Sequence, residues 1–174
     1  MTKILSRAFR ATLFNRDAFK QAYFDGDSSA DGAILVSLVG ALIYMGQLYI
    51  LSSLSEFDFR ALLAVVIGSV VSWLILAFAT WGVARWMFES MSRPQVMVGV
   101  HGLTVLPLLL DLSGSQEIGS IGLVWYLALL VVATQEVTDL DLKKSGVSVL
   151  IGFAVAFLFR ALLQVPFAAF SSIF

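Results

Sequence analysis

The single histidine of the chain, His101, is the first candidate for chemistry. It lies in the apolar stretch 95–112 together with Gly102, Pro107 and Asp111. An imidazole at membrane depth can relay protons or ligate the metal of a macrocycle. The sequence has no second histidine and no cysteine, which excludes two-histidine, thiolate and disulfide sites. The pattern favours a neutral histidine hydrogen-bonded between helices, and His101 is the one candidate cofactor residue.

Pro107 predicts a bend or a break in this stretch, because proline lacks a backbone donor and disrupts the helix around it. The nearby Gly102 supports a helix that packs inside a bundle. Broken helices line substrate sites in transporters, so a transport role is one interpretation. A purely structural bend is the favoured one, because we find no inverted repeat and no cluster of ionisable residues at mid-membrane depth.

Two opposite charges are expected near the membrane surface at which the third span ends. Asp111 ends the stretch, and Arg160 lies in the last apolar segment. They form an ion pair, or Arg160 extends alone to the lipid headgroups. Glu117 is the second candidate partner for Arg160. Because no catalytic serine, zinc or phosphate-binding motif occurs, we expect no enzymatic activity, no metal and no cofactor.

The composition indicates a membrane protein. Apolar residues make up 59% of the 174 residues and charged residues 13%, against roughly 45–50% and about 25% in soluble domains. The net charge of −1 argues against nucleic-acid binding. We predict an all-α, polytopic protein: a bundle of five transmembrane helices preceded by an amphipathic, interfacial N-terminal helix. The predicted spans are about 33–54, 61–88, 96–112, 118–134 and 146–165, so the transmembrane domain covers 33–174.

Residues 1–32 are predicted to form a cytoplasmic amphipathic arm. At about 100° per residue, Lys3, Arg7 and Arg10 share one face of a helix, and apolar residues lie broadly opposite. Such a helix usually lies among the headgroups, so these three residues are predicted to face the membrane surface. A solvated arm is the alternative. Residues 25–32 (DGDSSADG) are expected to break the helix before the first span.

The distribution of lysine and arginine predicts the orientation. Nine of the 11 basic residues lie before the first span, at the end of span two or between it and span three, or between spans four and five. The positive-inside rule therefore places the N-terminus in the cytoplasm and, with five spans, the C-terminus outside. The predicted location is the cytoplasmic membrane of a bacterium.

Three stretches carry a resemblance to a known family: RDAFKQAYFDGDSSADGAILV (16–36), GLTVLP (102–107) and WYLALLVVATQEVTDLDLKKS (125–145). Together with the five predicted spans, they resemble the Yip domain family of Ypt/Rab-interacting membrane proteins, in its bacterial branch. The resemblance implies a non-enzymatic protein of membrane organisation with no active site to transfer to this chain.

Three functions follow from these observations. The first is a membrane scaffold or adaptor, as the resemblance implies. The second is an accessory or assembly subunit of a larger membrane complex, with a membrane-protein partner or a homo-oligomer beside the lipid bilayer. The third is a small transporter or channel component that uses the bent third span.

Overall fold

The computed structural model of the protein describes the backbone of residues 2–50 and 57–171, and their side chains except those of 2, 160 and 163–171. In this part of the chain all regular structure is helical. The helices are α1 (Thr2–Thr12), α2 (Arg16–Phe24), α3 (Ser28–Ile50), α4 (Phe59–Phe88), α5 (Pro94–Gly102), a 3-10 helix (Leu106–Ser113), α6 (Gln116–Thr138) and α7 (Leu142–Ser171).

Five of these segments are long and apolar enough to cross a membrane, which confirms the predicted fold class: α3, α4, the third span Pro94–Ser113, α6 and α7 up to Phe159. They alternate in direction. At one end the Ser29 hydroxyl donates to the Gln95 carbonyl, and the Ser90 hydroxyl donates to the Thr138 carbonyl. At the other end the Tyr44 hydroxyl bonds to Asp58. We call these the arm end and the far end.

The third span is the most buried of the five and is broken in its middle. Over its most apolar 18 residues 56% are buried, against 17% to 33% in the other four spans. Helix α5 ends at Gly102, and the chain resumes as a 3-10 helix at Leu106. Pro107 accounts for the break, because in a continuous helix its missing N–H would bond the Leu103 carbonyl and its ring would clash with that group. The Thr104 hydroxyl donates to the His101 carbonyl at 2.7 Å and satisfies an acceptor at the break.

Helices α3 and α5 cross at direct backbone contact. A Cβ added to Gly102 would overlap the Gly32 Cα, and one added to Gly99 would overlap the Ser28 hydroxyl oxygen. Neither space admits an atom. Small residues allow such approach in a bilayer, where dispersion contacts replace the hydrophobic drive that operates in water. The glycines of the third span are therefore required for packing.

The helix boundaries differ from the predicted spans in two places. The first long helix begins at Ser28, so Asp31 and Gly32 lie in its first turns and not in a turn that separates an arm ending at residue 32. Its predicted end at residue 54 lies outside the described residues. Helices α6 and α7 also extend beyond their predicted spans, to Thr138 and Ser171. The extension of α6 is largely polar (QEVT, 135–138) and carries little apolar signal, whereas the apolar end of α7 follows Pro166.

Gly102→Ala should destabilise the protein by about 1–3 kcal/mol, the range for overpacking, because the methyl group would meet backbone that cannot move aside. The matched control is Gly68→Ala in α4, where nothing lies within 4 Å of the added Cβ. Thermal unfolding in detergent should show a lowered midpoint for the first variant alone. Equal midpoints would contradict the close crossing.

Candidate functional site

His101 lies at the centre of the packed third span. It is fully buried. Its Nε2 atom lies 3.1 Å from the Thr134 hydroxyl oxygen of α6, and its Nδ1 atom has no hydrogen-bond partner in the described part of the chain. One ring nitrogen thus joins two helices, and the ring has no exposed surface that a ligand can contact. This is the interhelical hydrogen bond that the sequence favoured, and it gives His101 a structural position.

The hydrogen bond of His101 is one end of a polar chain that leads to the arm end. The Thr138 hydroxyl donates to the Thr134 carbonyl at 2.6 Å, and the Ser90 hydroxyl donates to the Thr138 carbonyl at 3.3 Å. Arg85 donates to the Ser90 carbonyl at 2.9 Å. These bonds fix the connection between α4 and the third span against the end of α6. The sequence alone did not indicate this role for Ser90, Thr134 and Thr138.

The two charges expected at the far side are only partly described. Asp111 is exposed and accepts a long hydrogen bond of 3.5 Å from the Gln47 side chain of α3. Glu117 accepts from the Ser115 hydroxyl at 2.5 Å. The Arg160 side chain lies outside the described residues, so its ion pair stays a prediction. The neutral partner of Asp111 was missed because a glutamine inside an apolar span carries no charge signal.

The arm places its basic residues differently from the predicted surface face. Arg7 is 5% exposed and bonds Asp25 at 2.7 Å and Asp31 at 3.5 Å. This corrects the assignment of Arg7 to the membrane surface: the arm folds back, and the acidic lead into α3 neutralises the guanidinium. Lys3 is exposed, and its contact with the membrane surface stays a prediction, whereas Arg10 is partly buried and donates to the Gln21 side chain at 2.6 Å.

The arm also docks on α6 at two levels. Arg16 and Lys20 of α2 lie 3.0 and 3.9 Å from the Glu136 carboxylate, whose side chain is 8% exposed. The Trp125 indole N–H donates to the Thr12 carbonyl at 3.1 Å. Trp125 and Glu136 are 11 residues apart, or about 16 Å along the helix. The arm therefore runs beside the half of α6 that leads to the arm end.

Because Glu136 follows the predicted fourth span in a charged stretch, its sequence context indicates a solvated residue, and this contact was not predicted. Two signals pointed to it. Arg16 and Lys20 are separated by four residues and so share a face of α2. Glu136 lies within about 20° of Trp125 around α6, since 11 residues at about 100° each complete three turns and 20°. Asn15 caps α2, with its side chain accepting from the Asp17 amide at 3.0 Å.

A cavity of about 290 Å³ lies at mid-depth in the bundle. Val39, Trp73 and Tyr126 line it, and each is near the midpoint of its helix. Val105 at the break in the third span and Phe153 of α7 complete its wall. All five spans therefore contribute to one largely apolar chamber, to which Ser69 and Ser72 add hydroxyl groups.

No group of three or more histidine, cysteine, aspartate or glutamate side chains in the described part of the chain has the arrangement of a metal site. The ionic contacts described above join one element of the protein to another. The geometry of the described residues thus provides helix packing, a docked arm and a central chamber.

These features define a multi-span helical membrane protein with a docked N-terminal arm. The model of the Yip1 domain matches residues 11–163, and the chain belongs to that family. The matched region includes α2, the broken third span and the whole of α6. No curated protein and no solved structure shows significant similarity to the chain.

Arg7→Met should loosen the arm, because it leaves Asp25 and Asp31 without their cation. We expect amide hydrogen exchange in α1 to accelerate about tenfold or more. Lys3→Met is the matched control, since Lys3 lies on the same helix with an exposed side chain. Unchanged exchange in Arg7→Met would contradict docking through Arg7.

The arm should also respond to acid. The Arg7 guanidinium bonded to Asp25 holds the pKa of that carboxyl below its ordinary value. The contribution of this pair to stability is therefore complete above the unfolded pKa of about 3.9 and is lost as the pH falls through the lower pKa of the folded state. Exchange in α1, corrected for its intrinsic pH dependence, should stay constant from about pH 8 to pH 5 and rise below about pH 4. A rise near neutral pH would contradict the assignment.

Proposed function

We propose that this protein is a non-catalytic membrane scaffold or adaptor that works as an accessory or assembly subunit of a larger membrane complex. Its location in this proposal is a bacterial cytoplasmic membrane, with the arm end in the cytoplasm and the C-terminus outside. The excess of basic residues at the arm end supports this orientation.

One observation carries the proposal. Three large apolar side chains at the arm end, Phe24, Trp86 and Met91, are each more than 80% exposed. They lie at the end of α2, at the end of α4 and in the connection to α5. Aromatic and methionine side chains are enriched where proteins meet, particularly in the buried core of an interface. These residues are suited to contact a membrane-protein partner or a second copy of the chain.

Native-mass analysis of the untagged protein, extracted in mild detergent, tests this proposal. We expect a stoichiometric assembly that is lost when Phe24, Trp86 and Met91 are replaced by alanine. The matched control replaces Ile67, Leu150 and Leu158, which are also well exposed but lie farther from the arm end of their spans. A monomer in the unmodified protein, or equal loss in both triple variants, would contradict the proposal.

A small transporter or channel component is the second candidate, and the central cavity favours it. A chamber at mid-depth to which all five spans contribute is the arrangement in which transporters bind substrate. Ser72→Phe would fill this chamber with an apolar ring. Saturable solute uptake into liposomes that is abolished by Ser72→Phe would support transport. Absence of uptake would contradict transport and leave the scaffold as the remaining proposal.

A further inference from the structure

The surface between the arm and α6 combines an apolar groove with excess positive charge. The groove has a volume of about 400 Å³ and is lined by Phe14, Ser120, Ile121, Val124, Trp125 and Ala128. Its α6 residues belong to a segment that is long and apolar enough to span the membrane, and Ile121 and Val124 are well exposed. The groove is therefore open toward lipid.

The positive charge lies on the same side of α6 as the groove. Arg16 and Lys20 bring two cations to the single carboxylate of Glu136, so one positive charge is left over. Their side chains are 58% and 59% exposed and remain accessible beside that pair. Asp17 is exposed on the same short helix, and Arg10, which lies nearby on α1, bonds a neutral glutamine. Three cations (Arg10, Arg16 and Lys20) and two carboxylates (Asp17 and Glu136) thus leave one net positive charge.

Two other acidic residues of the arm lie elsewhere. Asp25 and Asp31 bond Arg7 near the start of α3. The arm thus separates its charges, with an acidic side toward α3 and a basic side toward α6. An anionic headgroup beside α6 would approach the basic side and be repelled from the other.

The dimensions suit a membrane lipid. From Ala128 to Ser120 the groove follows α6 for about 12 Å, and one leaflet of the hydrocarbon core is about 15 Å thick. Phe14, which lines the groove, and Arg16 are two residues apart, at most about 7 Å along the backbone, so the arm itself brings a cation beside the groove. A headgroup phosphate at these cations would thus have its acyl chain directed along the groove.

We propose that this surface is a binding site for an anionic phospholipid, with the phosphate at Arg16 and Lys20 and an acyl chain in the groove between Phe14 and α6. Arginine forms paired hydrogen bonds with phosphate oxygens, and lysine adds a point charge. Glu136 and the lipid share the two cations, so lipid binding strengthens the docking of the arm. The occupant comes from the bilayer itself, because the groove opens toward acyl chains.

Quenching of Trp125 fluorescence by brominated lipids tests the site. The full-length protein is placed in phosphatidylcholine vesicles that contain equal fractions of either brominated phosphatidylglycerol or brominated phosphatidylcholine. Subtracting the signal of Trp125→Phe isolates the groove tryptophan from the other three. We expect phosphatidylglycerol to be preferred about fivefold, the factor expected for one basic residue near an anionic surface.

The variants separate binding from folding. Arg16→Gln/Lys20→Gln should lose the preference, while Lys143→Gln/Lys144→Gln should keep it, because it removes the same charge from exposed lysines at the start of α7. Glu136→Gln should also keep it, since both cations are then free and the bonds of Arg7 and Trp125 still hold the arm. Equal quenching by the two lipids in the unmodified protein would overturn the proposal. Loss of the preference in Glu136→Gln would overturn it too, because the cations would then act only by holding the arm.

Discussion

The contact between the backbones of Gly32 and Gly102 is the constraint on which the rest of the bundle depends. It brings α3 and α5 together without intervening side chains, so that the third span occupies the most buried position among the five. A broken helix is costly in a bilayer, because every freed backbone group must find a partner inside the protein. The burial created by this crossing, together with the hydroxyl of Thr104, makes the break at Pro107 tolerable.

The break in turn determines what surrounds it. Since α5 has nine residues and the 3-10 helix eight, neither half crosses the bundle as a long straight helix. The arm packs against this irregular region, with Ala8, Ala11 and Phe19 fully buried. On the opposite side, Val105 and Leu108 contribute to the central cavity. The central cavity and the docked arm therefore both lie next to the break in the third span.

Much of the fold could be predicted from the sequence, because five apolar segments and one proline leave few alternatives. Pro107 indicated the break, and the isolation of His101 in the sequence indicated a structural histidine. The docking of the arm could not be predicted in the same way. The helical periodicity puts Arg7 on the basic face of α1, which suggests exposure. Its burial depends on Asp25 and Asp31, which lie in a stretch whose turn-forming residues predicted a loop. Glu136 likewise looked solvated, because a sequence does not show that an earlier segment covers the end of a later helix.

The hydrogen bond from Trp125 to Thr12 links residues 113 positions apart, and this separation has a consequence for how the molecule is made. Synthesis proceeds from the N-terminus, and segments normally pack as they emerge. The arm is made first, yet the surface of α6 that holds it does not exist until four spans have entered the membrane. The first helices of this protein are thus among the last to reach their positions. During that interval Arg16 and Lys20 lack the Glu136 carboxylate that they contact in the folded protein.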